Sequence, residues 1–368
     1  MGAEGTAASQ LASAHHQTEE HHREDEHLHG SDRQDRGGMH DGGDRRLVEQ
    51  AAERCAHDQR QDSPRDGRHR SLQEAHMKAV IVAAGYGSRF LPASKTVPKE
   101  MFPVIDRPAI DFILQELRES GIDDILFITS RRKRALEDYV DRELELEQVF
   151  ASEGAAAKQR AIAVPPGRFF FLRQQKMLGT GQAILLAEPF TGDDPFVVVF
   201  PDDLHIGDPP LARQLIDTYE RTGCSVLAVE HDPPHLERYG VVALADDGLH
   251  VTDIVEKPPP GMEPSRDISI GRYLYTPEIY PALRRRWERH RGGEFNYTEG
   301  VEELARQGRV VIQRMAGRRL DIGAPAGYLR SILEYAARDP ELAAEIEAFS
   351  AAGAAGETSG DDSAASAS

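Results

Sequence analysis

Apolar and polar residues fall into a regular rhythm only from Met77 onward. From there, short apolar blocks and amphipathic stretches take turns. Lys78–Ala84 is a compact, largely apolar run of the kind that buried parallel strands show. Asp106 and Pro108 open an apolar-periodic stretch that reaches Ser120 and stops at Gly121, so helix start and stop signals stand where a helix needs them. Asp124–Thr129 reads as a second strand, followed by a charged helix from Arg131. Phe169–Arg173 is a third strand with a helix through Gln182–Ala187. Phe196–Phe200 is a fourth with a helix over Leu211–Thr222, and Ser225–Glu230 is a fifth. This alternation predicts an α/β fold with a mixed, mostly parallel sheet flanked by helices on both faces. Beyond Tyr239 the blocks shorten to Val241–Ala243, Val251–Val255 and Ile268–Tyr275, which predicts a small antiparallel extension able to cap a site. Helices over Pro277–His290, Asn296–Gln307 and Ala326–Phe349 complete the pattern.

The two ends differ from this core in composition. Residues 1–76 carry ten of the fifteen histidines, mixed with Asp, Glu, Arg, Gln and Gly, and show periodicity only near Leu47–Ala56. Such a segment buries too little apolar surface to offset its ordering entropy, so a disordered leader is expected. A His-rich metal-binding tract is the alternative, and an over-long reading frame upstream of Met77 is a third reading. Residues 350–368, rich in Ala, Gly, Ser and Asp, predict a disordered tail. Residues 77–349 between them are expected to form one domain.

Charge and cysteine usage narrow the function classes. A formal charge of −18 argues against a sequence-independent grip on nucleic acid. The only cysteines, Cys55 and Cys224, make no disulfide framework and no metal-ligand spacing, a usage that suits a reducing cytoplasm. No apolar run is long enough to span a membrane, and no signal-peptide pattern is visible.

Candidate chemistry concentrates directly after the first strand, in Ala84-Gly85-Tyr86-Gly87-Ser88-Arg89-Phe90-Leu91-Pro92, with Lys99 and Glu100 close behind. Ligands of open α/β sheets bind beyond the carboxyl ends of strands. Glycines there let backbone N–H groups approach phosphate oxygens, and Arg89 adds a planar cationic fork. The Walker pattern fails, because no Lys-Ser/Thr follows the last glycine. The dinucleotide fingerprint fails at its third glycine, where Phe90 stands. The order G-x-G-[ST]-R-x-x-P followed by Pro98-Lys99-Glu100 fits a nucleotidyltransferase loop. An acidic protein handling polyphosphates must gather positive charge in such a site and recruit a cation.

From Met77 to about Ala337 the chain resembles the bacterial UTP–glucose-1-phosphate uridylyltransferases, within the sugar nucleotidyltransferase superfamily. Pro92–Met101 looks like the uridylyltransferase form of the loop. Arg173-Gln174 with Leu178-Gly179-Thr180-Gly181 looks like the base-recognition segment, and Pro201-Asp202-Asp203 like the metal-binding strand end. Tyr239–Val242, Val255–Pro258 and Gly271-Arg272-Tyr273 look like the sugar-binding side, and Asp321-Ile322-Gly323 with Gly327-Tyr328 like the late aspartate motif. The resemblance implies the Rossmann-like fold of nucleotide-diphospho-sugar transferases, Mg²⁺ as cofactor, UTP and glucose-1-phosphate as substrates, and a homo-oligomer. Its reaction is an in-line attack by a sugar phosphate oxygen on the α-phosphorus of UTP, without a protein nucleophile.

The resemblance also implies residue roles. Arg89 and Lys99 would hold the triphosphate, with Gly85 and Gly87 cradling it. Ala84, Glu100, Gln174 and Gly179 would read the uracil edge. Asp202 and Asp321 would ligate Mg²⁺. Gly240, Glu256 and Lys257 would take the sugar phosphate. Asp203 is expected to point elsewhere, because neighbouring strand residues face opposite ways. On composition alone, Asp202-Asp203 would read as a solvated turn, Glu256-Lys257 as a charged strand end, and Asp321 as a helix N-cap. Gln182 stands where the family has His. Glu294–Glu299 and Ala324-Pro325-Ala326 depart from the family pattern, and are expected on the sugar or subunit side.

Overall fold

The computed structural model describes residues 77–357. Among them the strands follow as β1 (Lys78–Val82), β2 (Pro103–Val104), β3 (Arg107–Pro108), β4 (Asp124–Thr129), β5 (Arg168–Arg173), β6 (Phe196–Val199) and β7 (Asp203–Ile206). After these come β8 (Ser225–His231), β9 (Gly240–Leu244), β10 (Val251–Glu256), β11 (Asp267–Tyr275), β12 (Val310–Arg314) and β13 (Arg318–Asp321). Nine strands make one sheet, in the order β10-β9-β11-β6-β1-β4-β5, with β8 added to β11 and β12 to β8. β6, β1, β4 and β5 run parallel. β11 is antiparallel to both β6 and β8, and β9 and β10 form the antiparallel extension. The chain leaves β1 for β4 on one side and returns to β6 on the other. The carboxyl ends of β1 and β6 therefore flank a topological switch point, where open α/β sheets bind ligands.

Side-chain alternation along β1 explains the layering. Ala79 and Ile81 face a core shared with Ile113 and Leu117 of the helix Ala109–Glu119 and Leu215 of Leu211–Thr222. Val80 faces the other core, with Ile184 of Thr180–Leu186 and Ile279 and Leu283 of Ile279–Arg289. Helices thus cover both faces, as the alternation predicts. The helix Ala109–Glu119 buries Ile110, Ile113, Leu114 and Leu117, one stripe at helical spacing. Gly121, at φ 80°, takes the chain out of it through the left-handed region.

Three differences from the sequence reading have local causes. The stretch Ala326–Phe349 is two helices, Pro325–Ala336 and Pro340–Glu357. Pro340 has no N–H to continue the first, and Asp339 Oδ1 accepts the N–H groups of Glu341 and Leu342 at 2.9 and 3.2 Å, starting the second. That helix runs past residue 350, where the tail was expected to begin, on an Ala-rich stretch of high helix propensity. The short strands β7, β12 and β13 carry too few residues for a periodic signal. The expected leader, residues 1–76, and residues 358–368 of the expected tail lie outside the described residues. Among the described residues no helix is long and apolar enough to cross a membrane.

β7 and β13 matter most for the site. They pair antiparallel from Asp203 opposite Asp321 to Ile206 opposite Arg318. This small sheet carries two sequence-distant aspartates to the carboxyl end of β6.

Candidate active site

The chain leaves β1 through Ala83, whose N–H is still held by Ile128 O at 2.9 Å, and buried Ala84. A methyl group on Gly85 would meet nothing within 4 Å, so this backbone faces open space. Gly87 sits at φ 66°, and a methyl there would come 3.2 Å from Ser94 Cβ. Ser94 Oγ fixes the turn by donating to Gly87 O at 2.7 Å. The loop is thus pinned at Gly87 and open at Gly85.

Charged side chains from four parts of the sequence converge beside it. Lys99 Nζ lies 2.7 Å from Asp202 Oδ2. Burial opposes ionisation of Asp202, but the Lys99 ammonium, its hydrogen bond and Arg89 outweigh it and hold the carboxyl below its usual range. Lys99 moves the opposite way: burial lowers its pKa, and Asp202 and Glu100 raise it above the ordinary lysine value. Both groups are charged at neutral pH. Arg89 Nη1 donates to Gly323 O at 3.3 Å. A methyl group placed on Gly323 would sit 3.1 Å from Asp321 Oδ1, 3.3 Å from Asp202 Oδ2 and 3.7 Å from Arg89 Nη1. The two carboxylate oxygens are therefore no farther apart than the sum of the first two distances. Asp203 turns away, as alternation predicts, accepting from Arg319 Nε at 2.6 Å and the Gly271 N–H at 2.8 Å.

This donor set suits a hard divalent cation. Among the described residues no group of three His, Cys, Asp or Glu is arranged to hold a metal. Asp202 and Asp321 supply hard oxygens from two carboxylates, which is what Mg²⁺ takes from a protein when substrate phosphates and waters complete its shell.

The neighbouring loop is built for close packing. Gln174 is buried, and its Nε2 donates to Gly179 O at 3.0 Å and to Gln182 Oε1 at 2.5 Å. Gly179, at φ 102°, leaves no room for a side chain: a methyl would fall 2.3 Å from Phe295 O. Backbone bonds from Gly181 N–H to Phe295 O and from Phe295 N–H to Leu178 O, at 2.9 and 2.8 Å, stitch the loop down.

Across the cleft, Gly240 and Glu256 are register partners on β9 and β10. A methyl on Gly240 would come 3.1 Å from Glu256 Oε2, so the glycine makes way for that carboxylate. Lys257 follows at φ 48°, its N–H donating to Tyr239 O at 3.0 Å. The Tyr239 hydroxyl reaches Asp321 Oδ2 at 3.3 Å, which links this side to the aspartates.

Several expectations need correction. Glu100 is buried and its Oε2 is taken by Lys133 Nζ at 2.6 Å, so that carboxylate oxygen is spent beneath the loop rather than offered to a base. Arg272 does not reach a sugar. It is 1 % exposed and makes a two-pronged pair with Glu116 at 3.0 and 2.9 Å, while Nη1 donates to Phe200 O and Gly271 O. Tyr273 is equally buried, its hydroxyl 2.7 Å from that of Tyr297. The departing segment Glu294–Glu299 lies against the Gly179–Gly181 loop through Phe295, and against Tyr273 of β11 through Tyr297.

Two residues of this cluster escaped the sequence reading. Lys133 sits in a run of four basic residues that reads as a solvated helix face, and nothing in its spacing marks it as buried. Arg319 binds Asp203, Glu230 and Asp321. Nothing in a four-residue strand announces it, although Arg319 and Asp321 share one face of β13.

Open glycine backbone beside the Lys99–Asp202 pair, Arg89 and Asp321, at a sheet switch point, is the arrangement expected of a phosphate-transfer site of the nucleotidyltransferase class. The chain belongs to the nucleotidyl transferase family, whose profile matches residues 78–338. It is 39 % identical over 278 residues to a UTP–glucose-1-phosphate uridylyltransferase of Staphylococcus epidermidis, covering 74 % of this chain and 96 % of that protein. It is 38 % identical to the enzyme of the same name from Bacillus subtilis strain 168, covering 74 % and 95 %. Among solved structures, the UTP-bound UDP-glucose pyrophosphorylase of Acinetobacter baumannii aligns with a TM-score of 0.67 at 34 % identity, over 75 % of this chain and 98 % of that one. A UDP-glucose pyrophosphorylase complexed with UDP-glucose aligns at 0.61, also 34 % identical, over 71 % and 98 %.

Proposed function

We propose that this protein transfers the uridylyl group of UTP to glucose-1-phosphate, giving UDP-glucose and pyrophosphate. The observation that carries the reading is the convergence of Arg89, Lys99, Asp202 and Asp321 on one gap beside the open Gly85 backbone. A phosphate oxygen of glucose-1-phosphate forms a bond to the α-phosphorus of UTP. The bond to the bridging oxygen breaks, and pyrophosphate carries away its electron pair. No protein nucleophile is needed, so positioning and charge stabilisation supply the rate.

Each group then has a task. Gly85 and Gly87 give the triphosphate a backbone cradle. Lys99 and Arg89 neutralise charge that shifts from the α-phosphate to the leaving group. Gln174, with Ala84 and Gly179, reads the uracil edge: its two Nε2 hydrogens go to Gly179 O and Gln182 Oε1, which leaves Oε1 to accept from a uracil N–H. Glu100, paired with Lys133, steadies the turn that carries Lys99. Glu256 takes sugar hydroxyls beside Gly240, and Lys257 takes the sugar phosphate. Mg²⁺ held by Asp202 and Asp321 supplies further neutralisation of the polyphosphate when bound. The working form is a cytoplasmic homo-oligomer in which residues 77–349 carry the activity.

A coupled pyrophosphate-release assay crossing UTP, dTTP, ATP and GTP with several sugar-1-phosphates tests the reading. Turnover highest with UTP and glucose-1-phosphate is expected. Preference for dTTP or another sugar-1-phosphate would reassign the substrate within the same chemistry.

A further inference from the structure

Arg319 joins four elements beneath the cleft and is 9 % exposed at its side chain. Its Nε is 2.6 Å from Asp203 Oδ1 on β7, its Nη1 3.1 Å from Glu230 Oε2 on β8, and its Nη2 3.1 Å from Asp321 Oδ2 on β13. Its guanidinium also lies over the ring of Tyr239, 5.1 Å from the centroid. A single cation among three carboxylates would serve charge balance alone. The way Asp321 is divided between its partners points further. Oδ2 faces Arg319 and the Tyr239 hydroxyl, at 3.1 and 3.3 Å. Oδ1 accepts only the Gly323 N–H, at 2.9 Å, and faces the gap shared with Asp202 and Arg89. A carboxylate oxygen with one such bond keeps acceptor capacity. The fork fixes which oxygen is presented, because guanidinium donors are rigidly spaced and planar. Bonds of this kind behind a metal-ligating carboxylate set its orientation and charge.

We propose that Arg319 is a positioning residue that, with Tyr239, locks Asp321 so that Oδ1 alone faces the Mg²⁺-nucleotide gap. The inference rests on the nucleotidyltransferase reading above. Tyr239 directly precedes β9 of the sugar-facing strand pair, so the same lock ties that side of the cleft to the aspartate. Loss of the fork leaves Asp321 free to rotate, which weakens Mg²⁺-assisted nucleotide binding before it touches the sugar.

The test compares Arg319→Lys, which keeps one positive charge among the three carboxylates but loses the fork, with Tyr239→Phe, which removes one bond to Oδ2. Calorimetry reads UTP affinity at a series of Mg²⁺ concentrations, with no turnover required. Arg319→Lys is expected to raise the half-saturating Mg²⁺ concentration about tenfold or more. Tyr239→Phe is expected to raise it by a smaller factor. In both, the KM for glucose-1-phosphate at saturating Mg²⁺-UTP should change less than that for UTP. An unchanged Mg²⁺ requirement in a folded Arg319→Lys protein that has merely lost thermal stability would overturn the proposal and leave Arg319 a charge-balancing residue. Should Arg319→Lys not fold, an unchanged Mg²⁺ requirement in Tyr239→Phe overturns it instead. Wild-type protein that binds no UTP at any Mg²⁺ concentration would sink the parent reading, a separate outcome.

Discussion

The two sides of the cleft are prepared in different ways. On the side proposed for the nucleotide, charges are committed to one another: Lys99 to Asp202, Lys133 to Glu100, and Arg319 to Asp203, Glu230 and Asp321. On the side proposed for the sugar, Glu256 and Lys257 make no ion pair with any described residue, and Gly240 clears space for the carboxylate. A polyphosphate carries several charges, and a site for it must hold like charges close together before it arrives. Pairing Lys99, Lys133 and Arg319 with carboxylates offsets that repulsion, while Arg89 is held by the Gly323 carbonyl. Sugar hydroxyls need only hydrogen-bonding groups left free, and a single sugar phosphate needs one cation, so that strand pair can stay open.

The largest effects are expected from the residues proposed to hold the nucleotide. Lys99→Ala or Asp202→Ala is expected to lower kcat about 10³-fold or more, because each removes a preorganised charge from the reacting centre. Pyrophosphate release reads the loss, with circular dichroism to show the fold kept. Activity near wild type in either variant would remove the assigned role.

On the sugar side a smaller and more selective effect is expected. Glu256→Ala should raise the KM for glucose-1-phosphate about 10- to 100-fold, the loss of hydrogen bonds to a charged acceptor. The KM for UTP should stay within about twofold. Equal changes in both constants would show that the two sides are not separable.

The glycines sharpen the comparison with the smallest changes of atoms. Gly179→Ala drives a methyl into the Phe295 backbone at φ 102°. It should lower the melting temperature by roughly 5–10 °C, the consequence of overpacking against main chain. Gly85→Ala, with open space around it, should melt within about 1 °C of wild type while binding UTP more weakly. A stable Gly179→Ala protein would show that the Phe295 segment can give way.

What the sequence disclosed follows the same division. Asp124–Thr129 and Leu211–Thr222 match their observed bounds, because each is a long uniform pattern with clear ends. The glycine loop and Asp202 were legible because their residues are local and ordered along the chain. Arg272, Glu100 and Lys133 were not, because burial decides their roles. Arg272 meets Glu116, 156 positions away, and Lys133, at the start of the helix Arg134–Tyr139, meets Glu100, 33 positions away. The pairing of β7 with β13, which brings Asp321 to Asp202, depends on four-residue strands too short to announce themselves.

The most direct test of the central claim is a crystal structure of this protein with UTP and Mg²⁺. The triphosphate is expected over the Gly85–Gly87 turn, with Arg89 and Lys99 on its oxygens and the ion between Asp202 and Asp321. A triphosphate bound elsewhere, or an ion that ignores both aspartates, would contradict it.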